Sequence, residues 1–162
     1  MSNTTTLATE VISKEDLLKH WQGHRSLTRK VIELFPEKEF FEFSIGGMRT
    51  FSQLATELLA IGAPAMKSIV NRQVESYNEH AEVLTTKAQY LEKWDEATEE
   101  INANWNLLKM EDFKEMFNLF GEYEFPIIHN ILYFIDNEVH HRGQGYVYLR
   151  ALGIEPPFFW DR

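Results

Sequence analysis

A chain of 162 residues accommodates one ordinary domain and its core and is too short for two. Its 44% hydrophobic and 14% aromatic content belongs to a globular protein, not a disordered one. The formal charge is -9, with 25 carboxylates against 16 Lys and Arg and no basic cluster, which points away from nucleic acid, whose phosphates call for a basic face.

The chain has no cysteine, so disulfides, thiolate metal ligands and a Cys nucleophile are excluded. Any thiol chemistry would need a thiol co-substrate. The stretch Met1 to Glu10 is Ser/Thr-rich, without the basic start and apolar core of a secretory signal. No apolar run approaches the ~20 residues that span a bilayer. The expectation is a cytoplasmic protein with no membrane partner.

Residues 1–12 read as a disordered tail ahead of a single domain, 13–162. Ser13 opens a first helix with Asp16 three residues on. Leu17, Trp21, His24, Thr28, Val31 and Phe35 follow at helical spacing, and Pro36 ends the segment. Residues 37–49 form an aromatic-rich connection with a turn at Gly46-Gly47. Thr50 and Gln53 make a capping box for a second helix carrying Leu54, Leu58, Ile61, Met66, Ile69 and Val70, and Pro64 inside it predicts a kink near Gly62.

A polar connection, roughly Gln73 to Thr85, leads to a third helix capped by Thr86 and Gln89. Its apolar face is Leu91, Trp94, Thr98, Ile101, Trp105 and Leu108. Phe113, Met116, Phe117 and Phe120 predict a short extra helix closed by Gly121. The last helix is predicted from Pro126 to Leu152, with Gly153 as its stop and Pro156-Pro157 beyond. With no convincing strand alternation and no internal repeat, the fold class is all-α, a four-helix bundle with long connections.

On the last helix, Phe134, Asn137, His141, Gly145, Tyr148 and Leu152 make one stripe, its middle polar and its ends apolar or small. On the second helix, Leu54, Glu57, Ile61 and Pro64 place a carboxylate between aliphatic residues. A buried carboxylate needs a cation, a metal or a His partner. One carboxylate facing an i, i+4 polar pair is a layout used for metal sites in bundle cores, and a Glu57–His141 hydrogen bond that fixes helix register satisfies the same pattern.

His24 is expected to face the core near this pocket, and His140 lies about 100° round the helix from His141. Glu138 and His141 make a single Glu-x-x-His motif, too few for a di-iron bundle. Arg142 is expected to pair with a carboxylate. Gly143 and Gly145 are read as points of close approach. Phe158-Phe159-Trp160 is expected to dock on the bundle or across a dimer interface.

The segment NEVHHRGQGYVYLRALGIEPP, Asn137 to Pro157, resembles the C-terminal signature of the DinB-like, bacillithiol-transferase-like superfamily. GMRTFSQLATE, Gly47 to Glu57, is similar to that family's second-helix start, and with the pattern around Trp21 the resemblance covers most of the chain. It implies a four-helix bundle, often dimeric, with three His on a divalent metal serving thiol-dependent transferase or isomerase chemistry. His141 matches the second His of the last-helix pair, while Asn137 and Glu57 stand where the other two ligands belong. The resemblance thus implies a metal set of Glu57, Asn137 and His141 for Ni, Zn, Mn or Fe, harder than three imidazoles. It also implies a small-molecule thiol and an electrophilic substrate as partners and a homodimer as the assembly. The alternative is a non-catalytic dimer, a binding or stress-associated module, with a Glu57–His141 pair in place of the metal.

Overall fold

Three Ser or Thr side chains start three of the long helices. The computed structural model describes residues 11–162, so the predicted tail falls almost wholly outside the described residues. Ser13 accepts from the Asp16 backbone N–H at 3.0 Å and opens α1, Lys14–Leu34. Thr50 and Gln53 close a reciprocal capping box on α3, Phe51–Asn71, and Thr86 and Gln89 do so on α4, Lys87–Leu107. Each satisfies backbone donors that a helix leaves unpaired, typically worth ~1 kcal/mol.

Between α1 and α3 the expected irregular connection contains a further short helix, α2, Glu37–Glu42, which seats Phe40 in the core. Pro64 does not interrupt α3: it lies on the exposed side, where the carbonyl it leaves unpaired can be solvated.

The predicted short helix before the last long one is not formed. A 3₁₀ turn, Met110–Lys114, carries Phe113 inward, and an antiparallel hairpin follows: β1, Met116–Leu119, and β2, Tyr123–Pro126. Phe117 and Leu119 are buried while Met116 is exposed, a period of two that helical spacing of the same aromatics disguised. Phe120 and Gly121 reverse the chain with φ of 58° and 79°. Asn130 anchors the hairpin to the next helix by donating to the carbonyls of Phe117 and Phe125 at 3.3 and 3.4 Å.

The last helix, α5, runs Ile127–Ala151, 25 residues or about 37 Å, and Gly153 follows it at φ 76°. The four long helices α1, α3, α4 and α5 form the bundle, with α5 packed on both α1 and α3. No helix among the described residues is long and apolar enough to cross a membrane.

Two apolar clusters fill the interior. One gathers Trp21, Ile61, Met66, Ile101, Trp105 and Phe134 with the hairpin's Phe117 and Leu119. The other gathers Val31, Phe35, Phe40, Phe51, Leu54, Trp94 and Tyr148. Each fully buried side chain of this size stabilises the fold by roughly 1.5–3 kcal/mol before entropy is counted. Along α1 and α5 the stretches between the two clusters carry His24, Arg25, Thr28, Glu138, His141 and Arg142, all buried. The middle of the bundle is therefore a polar layer.

Candidate functional site

The layer has two halves, on faces of α5 about 100° apart. The first forms where α5 meets α3. Gly145 permits the approach: a Cβ there would lie 2.4 Å from the ring of Phe51, so only glycine lets the two helices close at this point. One turn along, His141 Nε2 lies 3.0 Å from Glu57 Oε1, and the Asn137 amide donates to the same oxygen at 3.2 Å. The structure thus brings together all three residues singled out from the sequence.

A fourth was missed. Arg49, just before the Thr50 cap, bonds the other Glu57 oxygen and reaches Glu79 at 3.5 Å. The buried Tyr148 hydroxyl holds it in place by donating to the Arg49 backbone carbonyl at 2.8 Å. Arg49 lies in the connection, outside any helical stripe, so periodicity could not flag it.

Burial pushes the Glu57 carboxyl up, but bonds from Arg49, His141 and Asn137 outweigh it and hold the group below its ordinary range. Burial lowers His141, and Arg49 adds to this against the opposing pull of Glu57. The pair is therefore an ionised carboxylate and a neutral imidazole near pH 7. An ionised carboxylate only accepts, so His141 donates through Nε2–H. Its Nδ1 is buried and has no partner among the described residues.

The second half lies where α5 meets α1, and Arg25 of α1 extends it to α4. Glu138, 2% exposed, accepts from the Thr28 hydroxyl at 2.6 Å and lies 3.8 Å from Arg25. Arg25 donates to Thr98 at 2.9 Å and to the Trp94 carbonyl at 3.0 Å, with its guanidinium 3.7 Å from the Trp94 ring centre. Burial lowers Arg25 to about 10, so it stays charged near pH 7. Arg142 donates to Thr28 at 3.1 Å and to His24 Nδ1 at 2.9 Å, and lies 4.0 Å from Glu138.

Burial and the neighbouring Arg142, His20 and Arg162 drive His24 down to about 3. It is neutral and flanked by two guanidinium donors, Arg142 at Nδ1 and Arg162 at Nε2, each 2.9 Å away, and its single acceptor nitrogen serves only one of them. His24 is core-facing as expected, but it belongs to this network and not to the Glu57 pocket. Arg142 finds its expected carboxylate in Glu138. The sequence held a signal for this half as well: Ile131, Ile135, Glu138, Arg142 and Leu149 form a second stripe on α5, which is covered from two sides.

Other expected residues sit elsewhere. His140 is exposed and bonds Gln144 at 2.9 Å. Gly143 is exposed with nothing near its missing Cβ, so the expectation of close approach holds at Gly145 alone. The tail lies along the bundle, with Phe159 beside Val139 and Tyr146 of α5 and Arg162 against His24 of α1. Its aromatic side chains are not buried there: Phe158 and Trp160 stack at 4.8 Å, and each ring of Phe158, Phe159 and Trp160 is more than half exposed.

A bundle of four long helices with a polar layer across its middle is the class that this architecture defines. The family model described as the DinB family matches residues 1–160, and the chain belongs to that family. The fold is similar to a crystal structure of a DinB-like protein from Bacillus cereus, with 19% identity, a TM-score of 0.72, and coverage of 88% of this chain and 95% of that one. It is likewise similar to the DinB-like protein YjoA from Bacillus subtilis, with 19% identity, a TM-score of 0.71, and coverage of 90% of this chain and 99% of that one. No curated protein matches the chain significantly. Among the described residues, no three His, Cys, Asp or Glu side chains converge as a metal cradle.

Proposed function

We propose that this chain is a binding module of the DinB family in which Arg49, not a metal ion, supplies the cation at Glu57. On this reading it acts by holding a small molecule in a cleft that Glu57 lines together with Tyr77, Phe120 and Tyr133, not by metal-dependent thiol transfer. The observation that carries it is the orphaned Nδ1 of His141. A metal on Nε2 would move the ring proton to Nδ1, where a buried N–H would have no acceptor; metal-bound imidazoles almost always hand that proton to a partner.

The rest of the donor set agrees. Glu57 already has Arg49 on one oxygen, and His141 and Asn137 on the other. Asn137 would have to turn its amide over, giving up its bond to Glu57, to offer an oxygen ligand. These residues suit a protein-only cluster and do not suit a resident metal.

A second reading is favoured by one distance. Glu57 Oε1 and His141 Nε2 are 3.0 Å apart, a spacing that two ligands of one ion can share. In that reading Glu57, Asn137 and His141 hold Ni, Zn, Mn or Fe, which would lower the pKa of an incoming thiol toward an electrophilic substrate. Elemental analysis of protein purified without a His-tag, with thermal shifts on adding Mn, Fe, Ni or Zn, separates the two. The first reading expects neither bound metal nor a shift; one equivalent of metal, lost in Glu57→Gln, would overturn it. Both readings take the chain as a homodimer, supported by the exposed Phe158–Trp160 stack and tested by light scattering.

A further inference from the structure

We propose that the cleft outside Glu57 is a binding site for an organic ammonium ion bearing an apolar, preferably aromatic, group. The proposal rests on the reading above, in which Glu57 carries no metal, and it names the class of ligand that the module takes.

The cleft lies between α3, the connection after it and the hairpin. It has a volume of about 470 Å³ and is walled by the rings of Tyr77, Phe120, Tyr123 and Tyr133. Its carboxylates are Glu57, Glu79 and Glu122. Carboxylates alone would be a solvated face; four aromatic residues in the lining add faces that a cation can approach. An aromatic face attracts a cation within about 6 Å of its centre; aromatic walls alone select quaternary and methylated ammonium groups, and carboxylates beside them add acceptors for the N–H donors of a primary ammonium.

Charge sets the sign of the ligand. The cleft holds three carboxylates, and the one guanidinium beside it, that of Arg49, bridges Glu57 and Glu79 and leaves Glu122 without a cation, so the site carries net negative charge. The rings are also held in place. The Tyr77 hydroxyl donates to Glu79 at 3.0 Å, and its ring meets Phe120 edge-on at 5.4 Å. Phe120 adopts a φ of 58° as part of the hairpin turn, and the turn fixes where its ring lies.

Shape sets the rest. Tyr123 and Tyr133 also wall a neighbouring, mainly apolar hollow of about 390 Å³, whose other lining is Leu119, Phe125, His129 and Asn130. The two hollows share these rings, one side acidic and the other apolar. A ligand with a charged head and an apolar body would fill both. A bare divalent ion would gain little from the rings, and an anion would meet three carboxylates against a single guanidinium.

The test uses phenethylammonium as the probe, with phenethyl alcohol and phenylacetate as its neutral and anionic counterparts, titrated by calorimetry and by NMR. The expected result is saturable binding of the amine at millimolar concentration or tighter, with Kd weakened about 5–10-fold in Glu122→Gln and in Tyr133→Ala. Both side chains are substantially exposed, so neither change should unfold the protein. Equal binding of the alcohol, or no effect of either substitution, would overturn the proposal. So would no amine binding by metal-free protein up to about 10 mM. Stoichiometric metal in the purified protein would instead overturn the reading on which it rests, whatever the amines do.

Discussion

Gly143 and Gly145 lie two residues apart on α5, and replacing each with alanine should shift stability in opposite directions. At Gly145 the new Cβ would meet Phe51 ring carbons at 2.4 and 2.9 Å, well inside contact distance. Phe51 is fully buried, stacked on Phe35 at 4.7 Å and edge-on to Phe40 at 6.0 Å, so its ring cannot swing clear. Overpacking of this kind costs about 1–3 kcal/mol, against which alanine recovers ~1 kcal/mol of helix propensity. A contact of 2.4 Å places the cost in the upper part of that range, about 2–3 kcal/mol, so a net loss of ~1–2 kcal/mol follows, or a fall in Tm of roughly 2–8 °C for a domain of this size.

At Gly143 nothing lies within 4 Å of the added atom, and the propensity gain of about 0.5–1 kcal/mol stands alone. Urea unfolding followed by circular dichroism at constant slope measures both. The double variant Gly145→Ala with Phe51→Leu should be less unstable than the two single losses predict, because the smaller side chain removes the clash. If Gly145→Ala were as stabilising as Gly143→Ala, the close packing of α3 on α5 described above would be wrong, and with it the geometry that joins Glu57 to His141.

Three further outcomes are expected. Glu138→Ala strips the counter-charge from Arg25 and Arg142, which are 3% and 5% exposed, and should cost about 3–5 kcal/mol in chemical denaturation; a loss below ~1 kcal/mol would mean that these guanidinium groups are hydrated in solution. His24 is lowered from 6.5 to about 3 in the folded state, so the unfolded chain binds its proton first as pH falls. Its contribution is present above pH ~6.5 and lost toward pH ~3, with a slope approaching about 1.4 kcal/mol per pH unit; His24→Gln should flatten the stability profile between these limits, and an unchanged slope would refute this assignment. Glu57 is also lowered, so its contribution is full above the unfolded carboxylate range and fades as pH drops through the folded value. Glu57→Gln should cost ~1–3 kcal/mol at neutral pH and progressively less in acid, and a cost independent of pH would show that the carboxylate's charge is not what binds Arg49.

Helix order, caps and the core faces could be read from residue order alone because they depend on neighbours three or four positions away. Thr50 with Gln53, and Thr86 with Gln89, are local hydrogen-bond devices and form where their spacing says they should. The stripe through Asn137 and His141, and the isolated Glu57 on α3, were legible for the same reason. The hairpin was not: Phe113, Met116, Phe117 and Phe120 fit a helical period almost as well as a two-residue one, and the docking of Phe117 and Leu119 on the core resolves that ambiguity.

Partners contributed by distant segments needed the assembled bundle. Arg49 reaches Glu57 because Tyr148, 99 positions later in the chain, fixes its backbone; Glu138 meets Thr28 across 110 positions. The choice between Gly143 and Gly145 was likewise made by Phe51 on another helix. Electrostatic pairing in a buried layer depends on which faces meet and at what depth, and no periodicity within one helix encodes that. Local order therefore named the groups that must be paired, and packing decided with whom.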